Sequence, residues 1–121
     1  VRPDMGKRPH SYTRKLQFSE KEKQKIAERD HGQCIFCNMG IPAEGATWLD
    51  LQVKDYMHFI PKSALGLGVE RNGAIGCRYH HSILDNGNKG MRQQLLDRFE
   101  EYLKRQYPDW DKTKLTYSKW N

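Results

Sequence analysis

The stretch that decides the fold is Cys77-Arg78-Tyr79-His80-His81-Ser82-Ile83-Leu84-Asp85. Within it Cys77 and His80 make a C-x-x-H pair, and upstream Cys34-Ile35-Phe36-Cys37 makes C-x-x-C. Zinc favours four thiolate or imidazole ligands in a tetrahedron, and a two-residue gap lets a tight knuckle aim both side chains at one ion. Two half-sites bracketing an intervening segment predict a structural zinc held by Cys34, Cys37, Cys77 and His80, which staples the ends of that segment together. Free, half-buried cysteines beside an ordinary histidine are the bland alternative, and a redox-active C-x-x-C is another. The redox reading leaves the second half-site unused and lacks the βαβ setting such motifs occupy. Three cysteines, an odd number, also argue against a closed disulfide framework.

Between the half-sites, Leu51 to Ile60 has apolar and β-favouring residues in partial alternation and reads as a strand that Pro61 ends. Gly66-Leu67-Gly68 reads as a turn, and Gly73 to Gly76 as a short returning strand. A brief helix follows from about Arg78, stopped at Asp85-Asn86-Gly87 with Gly in the C-cap role. The expectation is a small α+β fold: a zinc-stapled strand–strand–helix core over residues 34–87, flanked by helices.

The flanks are simpler. Ser19 to about Asp30 opens on a hydroxyl followed three residues later by Glu22, the capping-box pattern. This helix is mostly charged and is expected on the surface, with Phe18 and Ile26 as its apolar contacts. Met91 to Tyr107 repeats apolar residues at helical spacing (Leu95, Leu96, Phe99, Tyr102, Leu103), predicting one buried face that Pro108 terminates. Trp110, Leu115, Tyr117 and Trp120 are expected to fold back as an aromatic-rich tail, so that helix and tail together span 91–121. Residues 1–17 are basic (Arg2, Lys7, Arg8, Arg14, Lys15), broken by Pro and Gly, and read as a mobile arm.

The segments Asp55-Tyr56-Met57-His58-Phe59-Ile60-Pro61-Lys62-Ser63, Glu70-Arg71-Asn72 and Cys77–Asp85 carry the chemistry. Taken together, in this order after the Cys34 knuckle, they resemble the HNH endonuclease family of ββα-metal nucleases, over close to half the chain. The resemblance implies a treble-clef-like ββα-metal core inside a nuclease domain spanning 18–121. It implies His58 as general base, Asn72 as the residue that organises the loop and orients that base, and His81 as a ligand of a catalytic divalent ion. His81 and Asp85 are four apart, so one helix face presents both to the same cation (Mg²⁺, Mn²⁺, Ni²⁺ or Zn²⁺). Many family members carry His or Asp directly before the base; here Met57 stands there, a poor ligand for hard ions. Asp55, two residues earlier on the same strand face, is expected to supply the missing carboxylate, unless water fills the place. Lys62 and Arg71 are the expected phosphate contacts.

Composition agrees with that partner. A net charge of +6 over 121 residues, with 36% hydrophobic and 30% charged, suits a small basic domain that recruits a metal and meets nucleic acid. It equally suits a basic, merely soluble surface. No run approaches a membrane span and no signal-peptide pattern opens the chain, so the expected setting is the cytoplasm of a bacterial or phage-infected cell, without membrane contact. The start at Val1 rather than Met is what a processed or trimmed end would leave. The resemblance is to small phage or prophage proteins, for which DNA and packaging proteins are the implied partners. The competing class is a non-catalytic, zinc-stabilised nucleic-acid-binding module, with Met57 as the mark of lost chemistry.

Overall fold

The structure, a computed structural model, describes residues 11–87 and 90–118. Its elements in chain order are α1 (Ser11–Leu16), α2 (Glu20–Asp30), α3 (Ile35–Asn38), α4 (Trp48–Gln52), β1 (Lys54–His58), β2 (Gly73–Cys77), α5 (Arg78–Asn86) and α6 (Arg92–Gln106). The chain is therefore a small α+β protein built on a two-stranded antiparallel sheet.

β1 and β2 pair with Asp55 opposite Gly76, Met57 opposite Ala74 and His58 opposite Gly73. Every residue of β2 is buried, because both of its faces are covered. Its small residues make this possible. A Cβ on Gly76 would lie 2.2 Å from Met57 Sδ, and one on Gly73 would lie 2.5 Å from the Phe18 ring. Neighbouring side chains thus fill the space that β2 side chains would take. Met57 is fully buried in this packing. β1 starts later than the expected Leu51, because Leu51 belongs to α4. That helix is opened by a reciprocal Thr47–Asp50 box, with Asp50 N–H donating to Thr47 Oγ1 and Thr47 N–H to Asp50 Oδ2, each at 3.1 Å. The T-x-x-D signal was present but overshadowed by Gly45 and by the β-favouring residues that follow.

α5 runs directly from β2 and ends at Gly87 in the left-handed conformation (φ 69°), where only glycine is unstrained. α6 buries Leu95, Phe99 and Leu103 as its periodicity requires. Phe99 meets Phe36 and Phe59 edge-on at centroid distances of 5.9 and 5.4 Å, joining α6 to α3 and to the end of β1.

α2 departs from its sequence reading twice. Ser19 Oγ caps Glu22 N–H at 3.1 Å, but the Glu22 carboxylate turns away to accept from the Glu70 amide at 2.7 Å instead of closing the box. The helix also has a deeply buried end. Arg29 and Asp30 form a network beneath it: Asp30 accepts from Arg29 Nε (2.7 Å), from Ile75 N–H (2.9 Å) and from the Tyr102 hydroxyl. Arg29 donates onward to the carbonyls of Glu70 (2.9 Å) and Gly73 (2.7 Å).

The arm is corrected in part. Ser11–Leu16 is helical, Leu16 is buried, and Gly68 N–H donates to Lys15 O at 2.9 Å, so residues 11–17 are docked rather than mobile. Residues 1–10 of the expected arm and Trp120 of the expected tail lie outside the described residues. The rest of the tail folds back as expected: Leu115 is buried and Trp110 packs on Phe59 at 5.7 Å. Among the described residues no helix is long and apolar enough to cross a membrane.

Candidate functional site

Cys34, Cys37, Cys77 and His80 converge, with their ligand atoms all within 4.8 Å of one another. The first two sit at the head of α3 and the other two at the head of α5. Cys34 Sγ accepts from Cys37 N–H at 3.4 Å and Cys77 Sγ from His80 N–H at 3.5 Å, so each leading cysteine caps the short helix that carries its partner. A zinc tetrahedron with bonds of 2.3 Å to sulfur and about 2.05 Å to nitrogen has edges of about 3.8 Å (S···S) and about 3.5 Å (S···N). The observed Cys37–Cys77 distance is 3.8 Å, and His80 Nδ1 lies 3.7, 3.6 and 3.4 Å from Cys34, Cys37 and Cys77. Donor set and spacing both fit a structural metal ion such as zinc. His80 Nε2 reaches the Pro42 carbonyl at 3.1 Å, which fixes that nitrogen as the N–H and leaves Nδ1 for the metal. The Cys34–Cys77 hydrogen bond splits the two thiols: with burial it pushes the Cys77 thiol up to about 11, and it draws the Cys34 thiol below its ordinary value against burial. A bound cation takes both as thiolates.

A second group lines an open cavity of about 640 Å³ on the other side of α5: His58, His81, Asp85, Asp55 and Lys62, with Phe18, Tyr56 and Lys23. His58 Nε2 lies 2.7 Å from the Leu16 carbonyl oxygen, and its ring rests on Phe18 with centroids 4.2 Å apart. A carbonyl can only accept, so Nε2 carries the hydrogen and the neutral ring keeps its lone pair on Nδ1. Burial lowers the His58 pKa below the ordinary imidazole value; the Leu16 carbonyl opposes this, and the Lys62 charge assists it. Both burial and the Lys62 charge thus favour the neutral His58 ring.

His81 stands between two carboxylates. Its Nδ1 is 2.9 Å from Asp55 Oδ2 and its Nε2 is 3.2 Å from Asp85 Oδ2. His81 and Asp85 lie one helical turn apart on α5, so the 3.2 Å separation is that of an ion pair along one helix face. Asp55 meets the opposite ring nitrogen, and both of its oxygens also accept from Arg78, at 2.9 and 3.1 Å. The Arg78 hydrogen bond holds the Asp55 carboxyl below its usual range, against some desolvation. Asp55 and Asp85 thus meet opposite nitrogens of the His81 ring, and Asp55 lines the same cavity as His58.

Two other expected residues sit differently. Asn72 is fully buried, and its side chain bonds to backbone: it accepts from Ile60 N–H (2.8 Å) and donates to the carbonyls of Ile60 (3.1 Å) and Leu67 (2.8 Å). It locks the loop that follows β1. Arg71 lies away from the cavity, paired with Asp109 at 2.9 Å and stacked over Tyr107 at 4.8 Å. Lys62 does line the cavity, and Lys23 of α2, which sequence reasoning passed over as one charge among many, lines it too.

No family model, curated protein or solved structure matches the chain. The chemistry of the site rests on its own residues. Its unread members share one cause: Leu16 acts through a backbone carbonyl, Phe18 through a ring face and Lys23 through position, and none of these leaves a pattern in sequence.

Proposed function

We propose that the protein is a metal-dependent DNA endonuclease of the HNH type, whose ββα-metal core is the β1–β2–α5 unit held by zinc. The observation that carries this reading is the single cavity shared by His58, with Nδ1 free to take a proton, and by the His81–Asp85 pair. Phosphodiester hydrolysis needs those two capabilities side by side. His58 Nδ1 takes a proton from water as the oxygen bonds to phosphorus. The P–O3′ bond breaks, leaving a 5′-phosphate and a 3′-hydroxyl protonated from solvent. His81 and Asp85 would hold a divalent ion, which would supply neutralising charge for the scissile phosphate and the departing oxygen. Lys62 and Lys23 face the substrate's phosphates, and Asp55, clamped by Arg78, holds the His81 ring by its other nitrogen.

Nicking with little sequence preference is expected. Plasmid relaxation with Mg²⁺, Mn²⁺, Ni²⁺ or EDTA, comparing the parent with His58→Ala, tests the reading. Ion-dependent nicking that falls by roughly 10²-fold or more in the variant supports a general base. DNA binding by both proteins with no cleavage under any ion would reassign the chain as a zinc-stabilised binding module.

A further inference from the structure

We propose that the segment Arg14–Phe18, outside the strand–strand–helix unit, is the device that sets the tautomer and orientation of His58. Three observations converge on it. The Leu16 carbonyl takes the His58 Nε2 hydrogen at 2.7 Å, and the Phe18 ring forms the shelf on which the imidazole lies. The segment is held independently of His58: Gly68 N–H donates to Lys15 O at 2.9 Å, Gln17 N–H closes on Arg14 O at 3.2 Å, and the Leu16 side chain is 6% exposed. Two glycines make room for it. A Cβ on Gly68 would lie 2.2 Å from Gln17 C and 2.6 Å from Phe18 N, and one on Gly73 would strike the Phe18 ring.

The physical consequence is specific. A neutral imidazole with nothing on Nε2 exchanges its hydrogen between both nitrogens, and only the form with Nδ1 unprotonated serves as the base described above. The orienting role expected of Asn72 is divided. Asn72 fixes the loop from Ile60 to Leu67, the loop carries Gly68, and Gly68 grips the segment whose carbonyl touches the ring. Arg14–Phe18 are positioning residues rather than catalytic ones.

The kinetic part of this proposal rests on the endonuclease reading, whereas the tautomer does not. Long-range ¹H–¹⁵N correlation NMR of the zinc-loaded full chain near neutral pH reads the tautomer directly. The parent is expected to show His58 as the Nε2–H form alone. Gly68→Ala, whose added Cβ strikes the segment's backbone at Gln17 and Phe18, is expected to give averaged ring shifts, with zinc content retained. Leu16→Ala, which removes the buried anchor without adding bulk, is expected to do the same and covers the case in which Gly68→Ala fails to fold. In nicking assays either variant should lose roughly 10-fold or more in kcat with DNA affinity unchanged. A parent His58 in mixed or Nδ1–H form, or ring shifts unaltered in both variants, overturns the proposal. Pinned shifts in the parent and averaged shifts in the variants, with no cleavage by any of them, would uphold the segment's role and remove the nuclease reading.

Discussion

Asp55 serves two neighbours at once, and that decides what its substitution should do. Its carboxylate accepts from both Arg78 and the Nδ1 side of His81, at 18% side-chain exposure, while Asp85 on the far side of the ring is 61% exposed. Loss of such an outer partner typically weakens metal binding 10- to 100-fold. On the proposed endonuclease reading, Asp55→Asn is expected to lower affinity for the proposed divalent ion about 10-fold by calorimetry, with the Cys34 centre still loaded; unchanged affinity would remove an orienting role for Asp55. His58 makes a pH prediction. Its pKa is depressed in the folded protein, so the unfolded chain binds the proton first. Stability is then full above the unfolded value of about 6.5 and declines as pH falls from there through the folded value. Urea unfolding of His58→Gln should show that part of the stability–pH curve flattened.

At the level of elements, the Cys/His centre joins α3 to the β2–α5 junction, beside the Phe36–Phe99 contact that holds α3 to α6. α3 spans only Ile35–Asn38, and a two-stranded sheet is marginal by itself. Binding of a structural zinc is worth on the order of 10 kcal/mol or more in small domains, comparable with the whole net stability of a protein this size. A strong chelator is expected to abolish the cooperative thermal transition, and zinc to restore it. A transition unmoved by chelation, with metal shown to be gone, would mean that the α6 packing suffices without the staple.

Across the whole molecule, the Arg29–Asp30 network does what the apolar core does not, tying α2 to β2, to the loop at Glu70 and to α6. Burial works against the Arg29 charge, but the hydrogen bonds and charge of Asp30 outweigh it and raise the Arg29 pKa. In the same way, burial and then Asp30 push the Tyr102 hydroxyl up. Removing one member of a buried pair strands the other, at a cost of about 3–5 kcal/mol. Asp30→Ala is expected to fall in that range by denaturant unfolding, more than the same change at exposed Asp97, where roughly ±0.5 kcal/mol is usual.

The sequence by itself determined whatever is local in the chain. Cys34-x-x-Cys37 and Cys77-x-x-His80 are knuckles whose geometry follows from spacing, the α6 stripe follows from helical period, and Gly87 ends α5 for a backbone reason confined to one residue. His81 and Asp85 share a face because helices repeat that way. Only the tertiary structure decided the contacts between remote segments. A backbone carbonyl at Leu16 has no residue signature, yet it fixes the hydrogen of His58. Asp55 had several partners open to it in the sequence, and the fold gives its carboxylate to Arg78 and His81 together. Arg71 and Lys23 are equal as basic letters, but packing of the C-terminal tail engages the first, and α2 sets the second beside the cavity. Spacing along a chain specifies direction only over a turn or two of backbone. Beyond that, burial and pairing choose the partners.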